Sequence, residues 1–491
     1  MGDSLDAVGL PTELSAFDFM MHKGEGDART RSGILGLEIF DTAPDWERYR
    51  ARYEHASRKV LRLRQKVVVS PLPTAAPRWV VDPDFNLDFH VRRVRVPEPG
   101  TLRQVLDLAE SILQGPLDVS RPLWTTTLVE GLAGGRAAAL LHMSHVVTDG
   151  VGGVEMFTQL YDFERDAPAK PELPMPVPQD LSENELMLEG LARLPGAVMG
   201  GVRGALLGSL RVVGRTAIHP VSTVTDVADF VRSASRGVQQ GPPPSPVLAG
   251  RSLSTRTELL EITLSDLRAA AKAGGGSIND AFLGGLCGAL RRYHDALGVP
   301  IASLPMVIPM SIRAESDAAG GNRFTGVNLT APVDVVDPVE RMRRIHAQVI
   351  QRRDEPARDM FEFISPVLNL VPMPVLKLMM GSFIGADVQA SNVPVDPRHR
   401  YMVGAKVLRQ FSLGPLPGVA VMVILLSYGG VCNIAVRYDR AAITDEALFA
   451  RCLVEGFDEI LALAGKPTGH AVLVSSDVGP VVSSSGSGAG S

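Results

Sequence analysis

The stretch Arg136-Ala137-Ala138-Ala139-Leu140-Leu141-His142-Met143-Ser144-His145-Val146-Val147-Thr148-Asp149-Gly150 decides the fold. Its apolar run follows the turn residues Gly134-Gly135 and predicts a buried strand that ends near His145. Thr148-Asp149-Gly150 predicts a turn, and VGGVEMFTQLY beyond it has a helical pattern. A strand, a corner and a helix therefore bring an imidazole and a carboxylate together. A strand period of two puts His145 on the face of Leu141 and Met143, and sends His142 and Ser144 to the other face.

Such a pair has a definite chemical use. Neutral imidazole is the side chain best matched to taking a hydroxyl proton near pH 7, and a nearby carboxylate can hold the geometry of the corner. A lone histidine in an apolar strand is ordinarily a core residue, so the reading rests on the corner as a whole. No GxSxG elbow occurs and no cysteine lies nearby in sequence, which favours direct attack by a second substrate over a covalent intermediate.

Outward from this corner the chain alternates strand and helix patterns. On the N-terminal side GILGLEIFD, LDFHVRRVRV and TTTLVEGL predict strands, with helices over Trp46 to Val60 and Leu102 to Leu113. A second mixed region starts near Thr255. There TELLEITLS, PMVIPMSIR, GVNLTAPVD, AKVLRQFSL and VCNIAVRYD predict strands, Ser265 to Ala273 and Ile278 to Leu297 predict helices, and a last helix runs from about Glu446 to Ala464. These patterns divide the chain into a first unit at 1–180, a linker at 181–250, a second unit at 251–482 and a flexible tail at 483–491 rich in Ser and Gly.

Inside the linker, Val202, Leu206, Leu210, Val213 and Ala217 share one helical face while Arg203, Arg211 and Arg215 share another. That is the composition of a membrane-surface helix, and equally of a surface helix packed on its own protein. Phe361 to Val388 and Leu413 to Val436 are apolar but interrupted by prolines, glycines or charges, so they predict a core helix and a buried strand pair rather than membrane spans.

Composition narrows the function classes. With 491 residues, 45% hydrophobic and 21% charged, the chain is long enough for two or more cores. Forty-nine basic against 54 acidic residues leave a net charge of -5, which gives no electrostatic footprint for nucleic acid. Cys287, Cys432 and Cys452 are odd in number and lie in apolar runs, as reduced core thiols do. Neither CxxC nor HExxH spacing occurs, so no metal is expected, and the acidic N-terminal segment does not match a signal peptide. A cytoplasmic protein is the expectation.

At the corner the sequence resembles the bacterial wax ester synthase/acyl-CoA:diacylglycerol acyltransferase family, a branch of the chloramphenicol-acetyltransferase-like superfamily with the motif HHxxxDG. Its second histidine maps to His145, its aspartate to Asp149 and its glycine to Gly150, while Ser144 stands at the first histidine. Further matches fall in family order: LSAFDFM at 14–20, PRWVVDPDFNLDFHVRRV at 77–94, the PLW motif at Pro122, Leu123 and Trp124, the ND motif at Asn279 and Asp280, IPMSIR ending at Arg313, and SNVP at 391–394.

The resemblance implies an α/β (α+β) fold of two chloramphenicol-acetyltransferase-like sandwich domains with a tunnel at their interface. It implies His145 as general base and Asp149 as a structural partner of the corner, which we pair with Arg313. Asn279 becomes a donor to developing negative charge. It further implies acyl-CoA and diacylglycerol or a long-chain alcohol as substrates, no other cofactor, and a peripheral place on the inner membrane or lipid droplets. Two alternatives stay open: a condensation-type acyltransferase using a carrier-bound acyl group, and a non-catalytic lipid-binding member of the same fold.

Overall fold

The strand patterns of the two halves fold into two large sheets. The structure, a computed structural model, describes residues 11–72, 74–147, 158–193, 242–311, 324–353, 386–393, 395–465 and 469–475. Its first half contains α1 (Ala16–Gly24), β1 (Gly33–Phe40), α2 (Trp46–Lys59), β2 (Gln65–Val68), β3 (Arg78–Val81), α3 (Leu87–His90), β4 (Val91–Arg95), α4 (Leu102–Gln114), β5 (Trp124–Leu132) and β6 (Arg136–Ser144). Then follow α5 (Glu183–Arg193), β7 (Thr255–Thr263), α6 (Leu264–Ala273), α7 (Ile278–Ala296), β8 (Ser303–Ser311), β9 (Phe324–Pro332) and α8 (Pro338–Arg353). The last group is β10 (Val388–Val393), β11 (Tyr401–Met402), β12 (Ala405–Leu413), β13 (Val421–Tyr428), β14 (Val431–Asp439), α9 (Glu446–Leu461) and β15 (Val472–Leu473).

The first sheet has the order β11-β12-β1-β6-β5-β4 and the second β15-β7-β14-β13-β10-β8-β9. Most neighbours are antiparallel; β4 with β5, and β10 with both β8 and β13, are parallel. Helices α6, α7, α8 and α9 bury their apolar residues, Leu267, Phe282, Leu286, Met342 and Phe457 among them, in one core with strands of the second sheet. Mixed α/β architecture in two sheet-and-helix halves is thus what the sequence patterns predict.

The two halves meet around α4. A capping box of Thr101 and Gln104 starts this helix, and Leu102, Val105, Leu106, Ala109 and Leu113 form its buried stripe. These side chains share a core with Leu35, Leu37 and Leu140 of the first sheet and with Leu259 and Ala435 of the second. Glu110 lies on the same buried side, where Thr255 and Thr257 donate to it and Arg437 pairs with it at 3.2 Å. Its charge is thereby partnered on every side that faces β7 and β14.

Three expectations change. The run LDFHVRRVRV becomes a strand only from Val91, because the Asn86 side chain accepts the Asp88 amide and caps a helical turn that turns His90 inward. The strand predicted to carry His145 at its end stops at Ser144, whose hydroxyl bonds to Glu25. AKVLRQFSL, placed by sequence order in the second unit, is β12 of the first sheet: Leu413 pairs with Leu35 and Phe411 with Leu37, and both aromatic and aliphatic side chains join the core around α4. The amphipathic pattern at 202–217, the apolar stretch at 361–385 and the flexible tail lie outside the described residues.

Candidate active site

The end of β6 is fixed from both flanks. Leu123 accepts the Ser144 amide at 3.0 Å, and Ser32, just before β1, accepts the His145 amide at 3.2 Å. The Val147 amide returns to the Ser144 carbonyl at 3.1 Å, so the chain turns at once. His145 is therefore in the turn, half-buried, and not on the strand itself. Val146 and Val147 behind it are buried in the core that also holds Met143 and Trp124.

Ser144 is fully buried, and its hydroxyl donates to Glu25 Oε1 at 2.6 Å. The same oxygen accepts the Ser32 hydroxyl at 2.7 Å. Glu25, at the end of α1, is itself buried. The sequence reading passed over it, because a glutamate 119 positions before Ser144 gives no local signal; only the packing of α1 brings it there.

The PLW motif forms the floor of this corner. Pro122, Leu123 and Trp124 are all buried, and Trp124 opens β5 opposite Met143. The indole Nε1 donates to Leu63 O at 2.7 Å, and the ring stacks on Tyr53 and on His90, the latter at 4.6 Å between centroids. His90 Nδ1 bonds to the Trp124 carbonyl at 2.6 Å, and as a carbonyl only accepts, this nitrogen carries the proton. Burial pushes the His90 imidazole down to about 4.

His142, two residues before Ser144, is buried on the α4 side of the sheet. Burial first, and then the positive charges of Arg437, Arg31 and Arg92, lower it to about 4. Gly33 leaves the space its ring needs: a Cβ there would lie 2.8 Å from His142 Nε2. His142 is buried on the strand, whereas His145 lies half-buried past its end, where the face expected from the strand period no longer applies.

The ND motif lies elsewhere. Asp280 is the third residue of α7, and its Oδ2 accepts the Ser277 amide and hydroxyl, both at 2.7 Å, in a capping box. His346 of α8 reaches the same oxygen at 2.9 Å. Asn279 is half-buried beside it, and its side chain makes no hydrogen bond to a described residue. Asp149, Gly150 and Arg313 lie outside the described residues. The thiols of Cys287, Cys432 and Cys452 are buried, and burial pushes Cys287 up to about 12 and Cys432 up to about 11, far from the thiolate a nucleophile needs. Among the described residues no cluster of side chains could hold a metal ion.

Two sheet-and-helix halves, with a histidine in the turn that ends a first-sheet strand, make a fold that solved structures share. A wax ester synthase/diacylglycerol acyltransferase from Marinobacter aquaeolei VT8 superposes with a TM-score of 0.64 at 20% identity, covering 93% of this chain and 100% of that one. The first condensation domain of the calcium-dependent antibiotic synthetase gives 0.55 at 12% identity over 95% and 97%, a likeness of fold alone. In sequence, residues 5–282 match the wax ester synthase/diacylglycerol acyltransferase catalytic domain and residues 320–461 the WS/DGAT C-terminal domain. A Mycobacterium tuberculosis H37Rv protein named for diacylglycerol O-acyltransferase activity is 62% identical over 477 residues, 97% of each chain. The chain belongs to the wax ester synthase/diacylglycerol acyltransferase family and is an acyltransferase.

Proposed function

We propose that the protein moves an acyl group from acyl-CoA to the hydroxyl of diacylglycerol or of a long-chain alcohol, with His145 as general base. The observation that carries this reading is the family motif at the end of β6, where His145 leaves the sheet half-buried in a fixed turn. The acceptor oxygen attacks the thioester carbonyl as His145 takes its proton. The tetrahedral intermediate then expels the CoA sulfur, to which His145 returns that proton, so the products are an ester and free CoA. Asp149 and Gly150 shape the corner, and Arg313 pairs with Asp149. Since Ser277 and Asp280 form the capping box of α7 without Asn279, Asn279 is left to donate to the substrate carbonyl.

The substrates meet in a tunnel between units at 1–180 and 251–482, the second of which lends β11 and β12 to the first sheet. No helix among the described residues is long and apolar enough to cross a membrane. We place the enzyme in the cytoplasm with the 202–217 pattern resting on the inner membrane or a lipid droplet, where each basic residue adds about 1 kcal/mol of attraction.

The test is an acceptor panel with labelled palmitoyl-CoA: diacylglycerol, long-chain alcohols and short alcohols, with wild type and His145→Ala. Long-chain acceptors should yield ester, and His145→Ala should lower the rate by ~10²–10⁴ while remaining folded. Wild-type turnover in the folded variant removes His145 from the mechanism. No transfer to any acceptor by the wild-type protein would overturn the reading in favour of a lipid-binding member.

A further inference from the structure

We propose that Glu25 is a positioning residue for His145, holding through Ser144 and Ser32 the backbone on both sides of the base. The inference rests on His145 being the base. It starts from a closed ring of contacts. Glu25 Oε1 accepts the hydroxyl of Ser144 at 2.6 Å and that of Ser32 at 2.7 Å. Ser144 is the residue covalently before His145, and Ser32 is the residue whose carbonyl accepts the His145 amide at 3.2 Å. One carboxylate oxygen thus joins the two points from which the base is suspended.

The ring is built to be stiff. Glu25, Ser32 and Ser144 are all buried, at 2%, 6% and 0% exposure, so water does not compete for these bonds. Both hydroxyls donate to the one Glu25 oxygen. The Ser144 oxygen then has its lone pairs for the Val146 amide, which it accepts at 3.3 Å, one residue past the base. Glu25 is anchored in turn: its amide donates to His22 O at 3.2 Å and its carbonyl accepts Arg31 Nε at 3.1 Å.

This arrangement answers what stands in for the first motif histidine in this chain. Ser144 is too short to brace the turn alone, and Glu25 supplies the missing reach from α1. A base displaced by about 1 Å can lose roughly 10²-fold in rate without any change in substrate affinity, so the ring should act on turnover and not on binding.

Steady-state kinetics of the full chain with labelled palmitoyl-CoA test this. Glu25→Gln keeps an acceptor oxygen in place and should stay within about threefold of wild type, whereas Glu25→Leu should lose about 10- to 100-fold in kcat with KM for palmitoyl-CoA within about twofold. Circular dichroism and thermal melting check that each variant is folded. If Glu25→Leu does not fold, Ser144→Ala decides, since it cuts one link and leaves the Ser32 bond; about a fivefold loss in kcat at constant KM is expected. A folded Glu25→Leu or Ser144→Ala with wild-type kcat, or a Glu25→Gln no better than the leucine variant, overturns the proposal. His145→Ala assayed alongside separates the failures: activity there sinks the base, whereas its loss together with unaffected Glu25 variants sinks only the positioning role.

Discussion

Leu123 holds Ser144: the serine amide donates to the leucine carbonyl at 3.0 Å, and this bond ties the PLW motif to the residue before the base. The motif therefore acts on the strand end. Its tryptophan sits beneath as a wedge between Tyr53 and His90, with its N–H spent on Leu63.

Trp124→Phe should accordingly weaken the fold more than it weakens substrate binding. Removing the indole N–H leaves the buried Leu63 carbonyl without that donor, at about 1–3 kcal/mol, while Trp124→Ala adds a cavity for a total of about 3–5 kcal/mol. Urea unfolding measures both. The folded phenylalanine variant should keep its KM for acyl-CoA; a raised KM with unchanged stability would instead make Trp124 a substrate contact.

Much of this corner was legible in the sequence. The apolar run and the Gly134-Gly135 turn before it located β6, because both signals come from neighbours a few residues apart. Longer connections were not. Glu25 reaches Ser144 only through the packing of α1, and β12 joins β1 from more than 360 positions away. Its alternating burial would suit an antiparallel neighbour in either sheet, so local pattern could not choose between them. The ND motif shows the converse: the helix expected from Ile278 does begin there, and Asp280 completes its capping box.

Acid should destabilise the protein through buried histidines. His142 and His90 are both held down to about 4, chiefly by burial. Between pH 6.5 and about 4 the unfolded chain binds protons at these positions that the folded chain refuses, so stability is full above 6.5 and falls as the pH drops. Each histidine contributes about 3 kcal/mol to that loss, which is complete near pH 4. Denaturant unfolding from pH 7 to 4 should show the slope, and His142→Gln should remove a part of it. An unchanged slope in that variant would mean that His142 is protonated as readily in the fold as out of it.

Strand β12 carries its own charge lock. Arg409 of β12 pairs with Glu261 of β7 at 2.6 Å, with both side chains almost fully buried, so the pair ties the first sheet to the second. Arg409→Ala leaves a buried carboxylate uncompensated and should cost about 3–5 kcal/mol, whereas replacing both residues with methionine should restore most of that loss. Thermal melting of the two variants compares them. Equal destabilisation by the single and double changes would show that packing, not charge, holds this contact.

Transfer should pass directly between substrates, with no acyl group resting on the enzyme. The nucleophile nearest to His145 in sequence is Ser144, but its hydroxyl is fully buried and committed as a donor to Glu25. The three cysteines are buried and stay protonated, Cys287 and Cys432 by burial that raises them to about 12 and about 11. A donor and an acceptor must then be bound together before the bond is made, so initial-rate plots against each substrate should intersect rather than run parallel. Incubating the enzyme with labelled acyl-CoA and no alcohol, then denaturing it, should leave its intact mass unchanged. A stoichiometric adduct that is released as ester when alcohol is added would replace this mechanism with a covalent one, and an adduct that disappears in Ser144→Ala would locate it on the residue that Glu25 holds.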